Sequence, residues 1–159
     1  MARSVVSTQP RHLAFDHTHT REHVSLVYAS TAGHYVDKAL SRLNYFLRDH
    51  YTNEVGVMDP QLFDILHRIS HSLSTRRAFQ VISGYRGPAT NERLRTTRAG
   101  GVAKRSLHMD GKAIDIRLPG VPLAELRDAA LSLRAGGVGF YPGQQFIHVD
   151  TGRVRSWGS

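Results

Sequence analysis

The hydrophobic pattern of this chain changes near Arg77, and this change limits the available folds more than any other feature. Before it, two stretches repeat apolar residues at helical spacing. One runs from Val36 to His50, and the other follows Asp59-Pro60, a good N-cap with proline in the first helical position. After it, short β-type runs are separated by glycine-rich turns. Helices followed by a mostly β segment predict an α+β domain.

Strands are also predicted before the helices, around a turn rich in threonine, histidine and arginine. Apolar and polar residues alternate on both sides of this turn, which predicts a β-hairpin; the apolar members are Leu13, Phe15, Val24, Leu26 and Tyr28. His17 and His19 lie in the turn without a third candidate ligand nearby, so we expect them at an exposed polar surface.

Four later strands are predicted at residues 79–83, 113–118, 138–141 and 146–150. One helix lies among them, and we expect Gly136-Gly137 to end it. Its apolar face comprises Leu123, Leu126, Ala130 and Leu133.

Length and composition suit one domain. We expect it over residues 11–157 of the 159, after a loose polar segment at residues 1–10. The formal charge of +8 favours an anionic partner. The arginines are scattered, however, and no basic helix alternates with aromatic residues, which argues against nucleic-acid binding. No apolar run approaches the roughly 20 residues that span a bilayer, so no stable membrane insertion is expected.

The chain contains no cysteine, so any metal must be bound through nitrogen and oxygen atoms. Its first residues, MARSVVSTQPRHLAF, lack the apolar segment of a secretion signal. These residues are compatible with a cytoplasmic protein or with one that begins after a removed leader.

Two segments combine metal-binding side chains with apolar neighbours. In SLHMDGKAIDI, His108 is in a loop and Asp115 follows seven residues later in a strand, with Gly111 allowing a tight turn between them. A buried carboxylate is unfavourable unless a cation or hydrogen bonds satisfy it. In FIHVD, strand alternation places His148 and Asp150 on one face. Both segments therefore predict the wall of a site.

Two histidines, one aspartate and a fourth position left for water are typical of a catalytic zinc site. Such a site needs a base to take the proton of the water. Asp150 is the candidate, and orienting an imidazole is its alternative role. Arg86, in SGYR, is the candidate for binding a substrate carboxylate or carbonyl, and Ser106 is a further candidate substrate contact.

Four runs of the chain closely resemble the YcbK-like murein endopeptidases: ISGYR, SLHMDGKAIDIRLPG, GGVGFYP and FIHVDTGRVRSW. Those enzymes belong with the zinc D-Ala-D-Ala carboxypeptidases, the vancomycin-resistance dipeptidases and the hedgehog signalling domain. The resemblance extends from about Arg11 to Trp157. It implies a hedgehog/DD-peptidase-like α+β domain, with helices packed on a small, mostly antiparallel sheet.

The resemblance also implies an activity. Carried over residue by residue, it makes His108, Asp115 and His148 the ligands of Zn²⁺ and Arg86 a substrate-binding residue. It implies a periplasmic metallopeptidase whose partner is peptidoglycan, with the leader removed or outside this sequence. The bond cut by the most similar enzymes would be an L,D-bond that links two diaminopimelate residues.

One region departs from the wider superfamily. Many relatives carry a glutamate base three residues before the last histidine ligand, and others carry a histidine two residues before it. This chain has Gln145 and Phe146 at those positions, so Asp150 is assigned as base by elimination. Two alternatives stay open: a D,D-carboxypeptidase or dipeptidase acting on D-Ala termini, and a zinc-bearing cell-wall binding module without catalysis.

Overall fold

Seven strands form one sheet in the computed structural model, which describes residues 9–97 and 102–158. The strands are β1 (Arg11–His17), β2 (His23–Ala29), β3 (Phe79–Ser83), β4 (Ala113–Arg117), β5 (Gly137–Tyr141), β6 (Phe146–Asp150) and β7 (Arg155–Trp157). Their order is β2-β1-β3-β4-β6-β5-β7; β1–β3 and β5–β7 are parallel pairs and the others are antiparallel. The predicted α+β class with a mostly antiparallel sheet is confirmed. Most of the segment expected to be loose, residues 1–8, lies outside the described residues.

The helices of the described residues are α1 (Asp37–Phe46), α2 (Pro60–Ser72), α3 (Pro88–Thr97) and α4 (Leu123–Ser132). The start of α2 is as predicted, because the Asp59 side chain accepts a hydrogen bond from the Gln61 backbone nitrogen at 3.0 Å and Pro60 follows it. Within the described part of the chain, no helix combines the length and the apolar character that crossing a bilayer requires.

The hydrophobic core lies between the sheet and the helices α1, α2 and α4. Ile114 and Ile116 of β4 and Ile147 of β6 belong to this core and are inaccessible to solvent. Burying each of them contributes roughly 1.5–3 kcal/mol. Because side chains alternate along a strand, Asp115 and His148 point to the opposite face. The core therefore fixes the two strands that supply the candidate site.

The sequence does not predict α3 or β7. The α3 segment, PATNERLRTT, is polar, and its buried residues are Thr90 and Asn91, so it has no apolar stripe that would indicate a helix. With only three residues, β7 is too short for alternation to be recognised.

The prediction that Gly136-Gly137 ends α4 is wrong. The helix ends at Ser132, and Gly137 is already the first residue of β5. These glycines are needed for close packing against β6, since a Cβ on Gly136 would lie 1.9 Å from the Asp150 carbonyl oxygen.

Candidate active site

His108 lies in a short 3₁₀ helix, Leu107–Asp110, whose two ends are both fixed. At its start, the Ser106 hydroxyl accepts a hydrogen bond from the His108 backbone nitrogen at 3.2 Å. At its end, Gly111 has a φ of 68°, a left-handed conformation that favours glycine. A Cβ at this position would also lie 2.0 Å from the Val57 carbonyl oxygen. These constraints fix the backbone from which the His108 side chain projects.

The strands β4 and β6 bring the other two predicted ligands together. Asp115 and His148 are directly paired in the antiparallel register. Asp115 Oδ1 lies 3.1 Å from His148 Nδ1 and 3.2 Å from His108 Nε2. One ligand atom from each of the three side chains falls within 4.8 Å of the others, and all three residues are buried. The structure therefore gathers the three side chains that the sequence singles out.

In each histidine, the ring nitrogen that faces away from Asp115 is held by a hydrogen-bond acceptor. His108 Nδ1 donates to the Gly84 carbonyl oxygen at 2.8 Å, and His148 Nε2 donates to Asp150 Oδ2 at 2.7 Å. The other nitrogens, His108 Nε2 and His148 Nδ1, then direct lone pairs at Asp115. Two lone pairs and a carboxylate oxygen at such distances repel one another unless a cation lies between them. Imidazoles held in this way are typical of metal ligands.

A proton bound to one of these three side chains is the alternative to a bound metal ion. Burial alone would lower the pKa of His148, but its hydrogen bonds with Asp115 and Asp150 raise the pKa to about 9. Burial does lower the pKa of His108. Burial alone would raise the pKa of Asp115, yet the two histidines hold that pKa well below its usual range. At neutral pH, a proton on His148 therefore balances the buried charge of Asp115.

Asp150 lies on the same side of β6 as His148 and is fully buried. Its Oδ2 accepts hydrogen bonds from His148 and from Arg155 Nη2, at 2.7 and 2.8 Å. Its Oδ1 accepts three more, from Gly137 N, Gly152 N and Arg155 Nη1, at 3.0, 2.9 and 3.0 Å. Burial alone would raise the pKa of Asp150, but these hydrogen bonds hold it well below its usual range. Such a carboxylate stays ionised and is well placed to orient an imidazole.

Arg86 is buried beside the three candidate ligands, with Nη2 4.0 Å from Asp115 Oδ2. Its Nη1 donates a hydrogen bond to Asn91 Oδ1 at 3.3 Å. The Asn91 amide donates in turn to the carbonyl oxygens of Ala103 and Lys104, at 3.0 and 3.2 Å. The unpredicted helix α3 therefore positions the guanidinium through Asn91. No local sequence pattern indicates this role, because the contact depends on the tertiary fold.

A cleft of about 850 Å³ opens over these groups. Its lining includes Ser106, the predicted substrate contact, whose hydroxyl already caps the short helix. An aromatic and basic part of the wall comes from Tyr141, Arg155 and Trp157. The Arg155 guanidinium lies 4.9 Å from the centroid of the Trp157 ring, and that ring lies 5.0 Å from the His148 ring. Because Arg155 also holds Asp150, this wall and the candidate metal ligands form one connected unit.

The turn between β5 and β6 places Gln144, rather than Gln145, at the cleft. Gln145 has a φ of 61°, and its side-chain amide donates a hydrogen bond to the Pro142 carbonyl oxygen at 2.5 Å. At the position where the wider superfamily led us to look for a glutamate base, the Gln145 side chain therefore forms a hydrogen bond within its own turn. Of the described residues that line the cleft, Asp115 alone carries a carboxylate.

A second cavity, of about 150 Å³, adjoins the cleft, and both are lined by Arg86 and Asp115. Its lining also includes His19 and His50, whose parallel rings have centroids 4.0 Å apart. The expectation of an exposed turn is correct for His19 but wrong for His17, which is only 2 % exposed. The parallel pairing of β1 with β3 brings this turn close to the site, and local sequence patterns do not indicate that pairing.

Comparison with known proteins confirms the predicted resemblance to a family of murein endopeptidases. The family described as peptidoglycan L,D-endopeptidase MepK matches residues 5–157. The chain is 45 % identical over 149 residues to the peptidoglycan L,D-endopeptidase MepK of Escherichia coli (strain K12), covering 94 % of this chain and 81 % of that protein. It is 46 % identical over 156 residues to the probable peptidoglycan L,D-endopeptidase MepK of Haemophilus influenzae, covering 97 % and 83 %. No solved structure matches significantly. The chain therefore belongs to the family of the peptidoglycan L,D-endopeptidase MepK.

Proposed function

We propose that this protein is a zinc-dependent endopeptidase that hydrolyses peptide cross-links of peptidoglycan at an L,D-bond. Membership of the MepK family supports the reaction and the substrate. One observation supports the metal most directly: both histidines donate their outward N–H groups to fixed acceptors. Two imidazole lone pairs and a carboxylate oxygen are thereby left to converge on one point.

The three side chains fit zinc in number and in type. Two imidazole nitrogens and one carboxylate oxygen, contributed by His108, His148 and Asp115, are a donor set found in catalytic zinc sites, and they leave a coordination position open. Magnesium and calcium prefer oxygen ligands, of which this set offers only the carboxylate. A bound zinc ion would supply a Lewis acid that activates water and polarises the peptide carbonyl.

Asp150 is a positioning residue in this proposal. It keeps the Nε2 proton of His148 facing outward, so that the Nδ1 lone pair faces Asp115. Arg155 keeps Asp150 ionised and in place through two charge-assisted hydrogen bonds. The role of base that was assigned to Asp150 by elimination is not part of the proposal, because both of its oxygens are already occupied.

Arg86 binds the substrate in this proposal, as the sequence predicts. Its guanidinium is held by Asn91 next to the candidate ligands, where it can donate hydrogen bonds to a carbonyl or carboxylate of the peptide. Trp157 and Tyr141 supply the adjoining wall, and their side chains are joined by a 2.7 Å hydrogen bond from the indole nitrogen to the phenol oxygen. The substrate would thus meet a preorganised surface on the side of β5 and β7.

The proposal is tested by incubating zinc-loaded protein with purified peptidoglycan and with a defined dimeric muropeptide that is linked through two diaminopimelate residues. We expect chromatography and mass spectrometry to show dimers splitting into monomers. Loss of a single terminal alanine would instead identify a D,D-carboxypeptidase. Zinc and muropeptide binding without any turnover would identify a binding module.

A matched pair of variants links activity to the metal. His108→Ala should lose bound zinc and turnover together, whereas His12→Ala, at the far end of β1 from the site, should keep both. If His108→Ala kept full turnover although it retained little zinc, the assigned metal site would be contradicted.

The proposed substrate is an extracytoplasmic polymer, so we place the working protein in the periplasm. Cell fractionation followed by muropeptide digestion tests this placement. Activity confined to the cytoplasmic fraction would contradict it.

A further inference from the structure

The small cavity beside the candidate metal site is lined by two histidines that the proposed mechanism does not use. We propose that this cavity is a subsite for a substrate carboxylate, to which the imidazoles of His19 and His50 donate hydrogen bonds. The inference rests on the proposed endopeptidase function and makes the substrate more specific. It requires a residue next to the cleaved bond to carry a free carboxylate, as diaminopimelate does.

The position of the cavity suits a residue adjacent to the cleaved bond. It shares Arg86, Asp115, Gln144 and Phe146 with the main cleft, so a peptide in the cleft can extend into it across the candidate metal ligands. Its volume is about 150 Å³. Because a water molecule occupies about 30 Å³, this space accommodates a carboxylate together with a short alkyl stem.

The two rings are held in place before any ligand arrives. They stack at 4.0 Å with an angle of 6° between their planes, and the His50 ring also packs on Tyr51 at 4.3 Å. The turn that supplies His19 is anchored by the buried His17, whose Nδ1 accepts hydrogen bonds from the backbone nitrogens of His19 and Thr20 at 3.1 and 3.3 Å. Rigid donors lose little conformational entropy when they bind an anion.

The cavity lining contains the Arg86 guanidinium, and the carboxylate of the lining, Asp115, is engaged with the two metal-site histidines. The Arg93 guanidinium lies 5.7 Å from the centroid of the Tyr51 ring, which also lines the cavity. Burial, assisted by His19, lowers the pKa of His50 to about 4, so at neutral pH its ring is neutral and offers one N–H donor. A substrate ammonium group would be repelled by Arg86, whereas a carboxylate would be attracted.

The nearby acidic side chains already have partners of their own. Asp49 Oδ1 accepts hydrogen bonds from the backbone nitrogens of Tyr51 and Thr52, and Oδ2 accepts one from Gly87 N at 2.9 Å. Asp115, the carboxylate among the described lining residues, faces the two metal-site histidines. An incoming carboxylate would therefore not compete with a protein carboxylate for His19 and His50.

The test compares two probes: the dimeric muropeptide with free diaminopimelate carboxylates, and the same dimer with those carboxylates amidated. We would measure kcat/KM for the zinc-loaded wild type and for His19→Phe and His50→Phe, which keep a flat ring but lose the N–H. Binding would be measured by calorimetry in a His108→Ala background, with and without His50→Phe. His12→Phe, which changes an exposed histidine elsewhere on β1, is the matched control.

The wild type and the His12→Phe control should prefer the free carboxylate by roughly tenfold to a hundredfold. Each of the other phenylalanine variants should lose most of this preference while keeping turnover of the amidated probe, which shows that the variant is folded. Equal rates of the wild type on both probes, or an unchanged preference in both variants, would overturn the subsite. If the wild type cleaves neither probe but binding still shows a preference that depends on His50, the endopeptidase proposal fails and the subsite stands.

Discussion

Asp150→Asn changes one atom of a fully buried side chain, and the structure determines which one. The Oδ1 position receives three donors, from Gly137, Gly152 and Arg155, whereas the Oδ2 position receives two, from His148 and Arg155. The single oxygen of an amide should therefore occupy the Oδ1 position and leave its NH₂ group facing His148 Nε2. Two donors cannot share a hydrogen bond, so the His148 proton should move to Nδ1, the nitrogen that faces Asp115.

In that tautomer, His148 Nδ1 carries a proton and has no lone pair with which to bind zinc. Loss of the partner that orients a ligating histidine typically weakens metal binding by about 10- to 100-fold, which corresponds to roughly 1.4–2.7 kcal/mol. We expect Asp150→Asn to show this weakening in a competitive titration against a chromophoric chelator. Turnover should recover partly when zinc is raised to saturation.

The exposed Asp128 provides the matched control, and Asp128→Asn should bind zinc like the wild type. If Asp150 were the general base, Asp150→Asn would keep wild-type zinc affinity and lose turnover at every zinc concentration. That result would refute the orienting role.

Three further predictions concern the backbone, the substrate and pH. Gly111→Ala should destabilise the metal-free protein by at least about 2 kcal/mol, which lowers the melting temperature in calorimetry by roughly 4–8 °C. The reason is that residue 111 has a positive φ and that a Cβ there would clash with the Val57 carbonyl oxygen. An unchanged melting temperature would contradict this. Arg86→Lys should raise KM for muropeptide dimers about tenfold or more with zinc affinity unchanged, since lysine lacks the planar fork; the reverse pattern would exclude a substrate role. Burial lowers the pKa of His17 from 6.5 to about 4, so the unfolded chain binds the extra proton and stability should fall as pH drops from about 6.5 to 4. His17→Asn should make that part of the melting-temperature profile less steep, while His50 still contributes to the slope, and an equally steep profile would contradict the assignment.

The candidate ligands are predictable from sequence because their constraints are local. Asp115 is flanked by apolar strand residues, and period-two alternation alone places it and His148 opposite the core. Gly111, which the sequence indicates as a tight turn between His108 and Asp115, ends the short helix that presents His108. Local chemistry and the resemblance to a family therefore lead to the same three residues.

The sequence leaves two roles open for Asp150, general base and orienting group, because the groups that surround this carboxylate come from other strands and turns. The backbone nitrogens of Gly137 and Gly152 and the Arg155 guanidinium surround it only after β5, β6 and β7 have assembled. Asn91 is similar, because α3 lacks the apolar periodicity that predicted the other helices.

The small cavity depends on still longer-range contacts. His19 precedes His50 by about thirty residues, and the two rings meet where the turn after β1 lies beside the loop after α1. No periodicity or motif in the sequence indicates that these rings would stack beside the site.

X-ray absorption at the zinc edge tests the central claim most directly. For zinc-loaded wild type we expect imidazole scattering from two histidines together with oxygen ligands, all at about 2.0–2.2 Å. His108→Ala should remove one imidazole from the spectrum, or remove the zinc altogether, while His12→Ala should change nothing. A spectrum without imidazole scattering, or one that His108→Ala leaves unchanged, would contradict a zinc site formed by His108, Asp115 and His148.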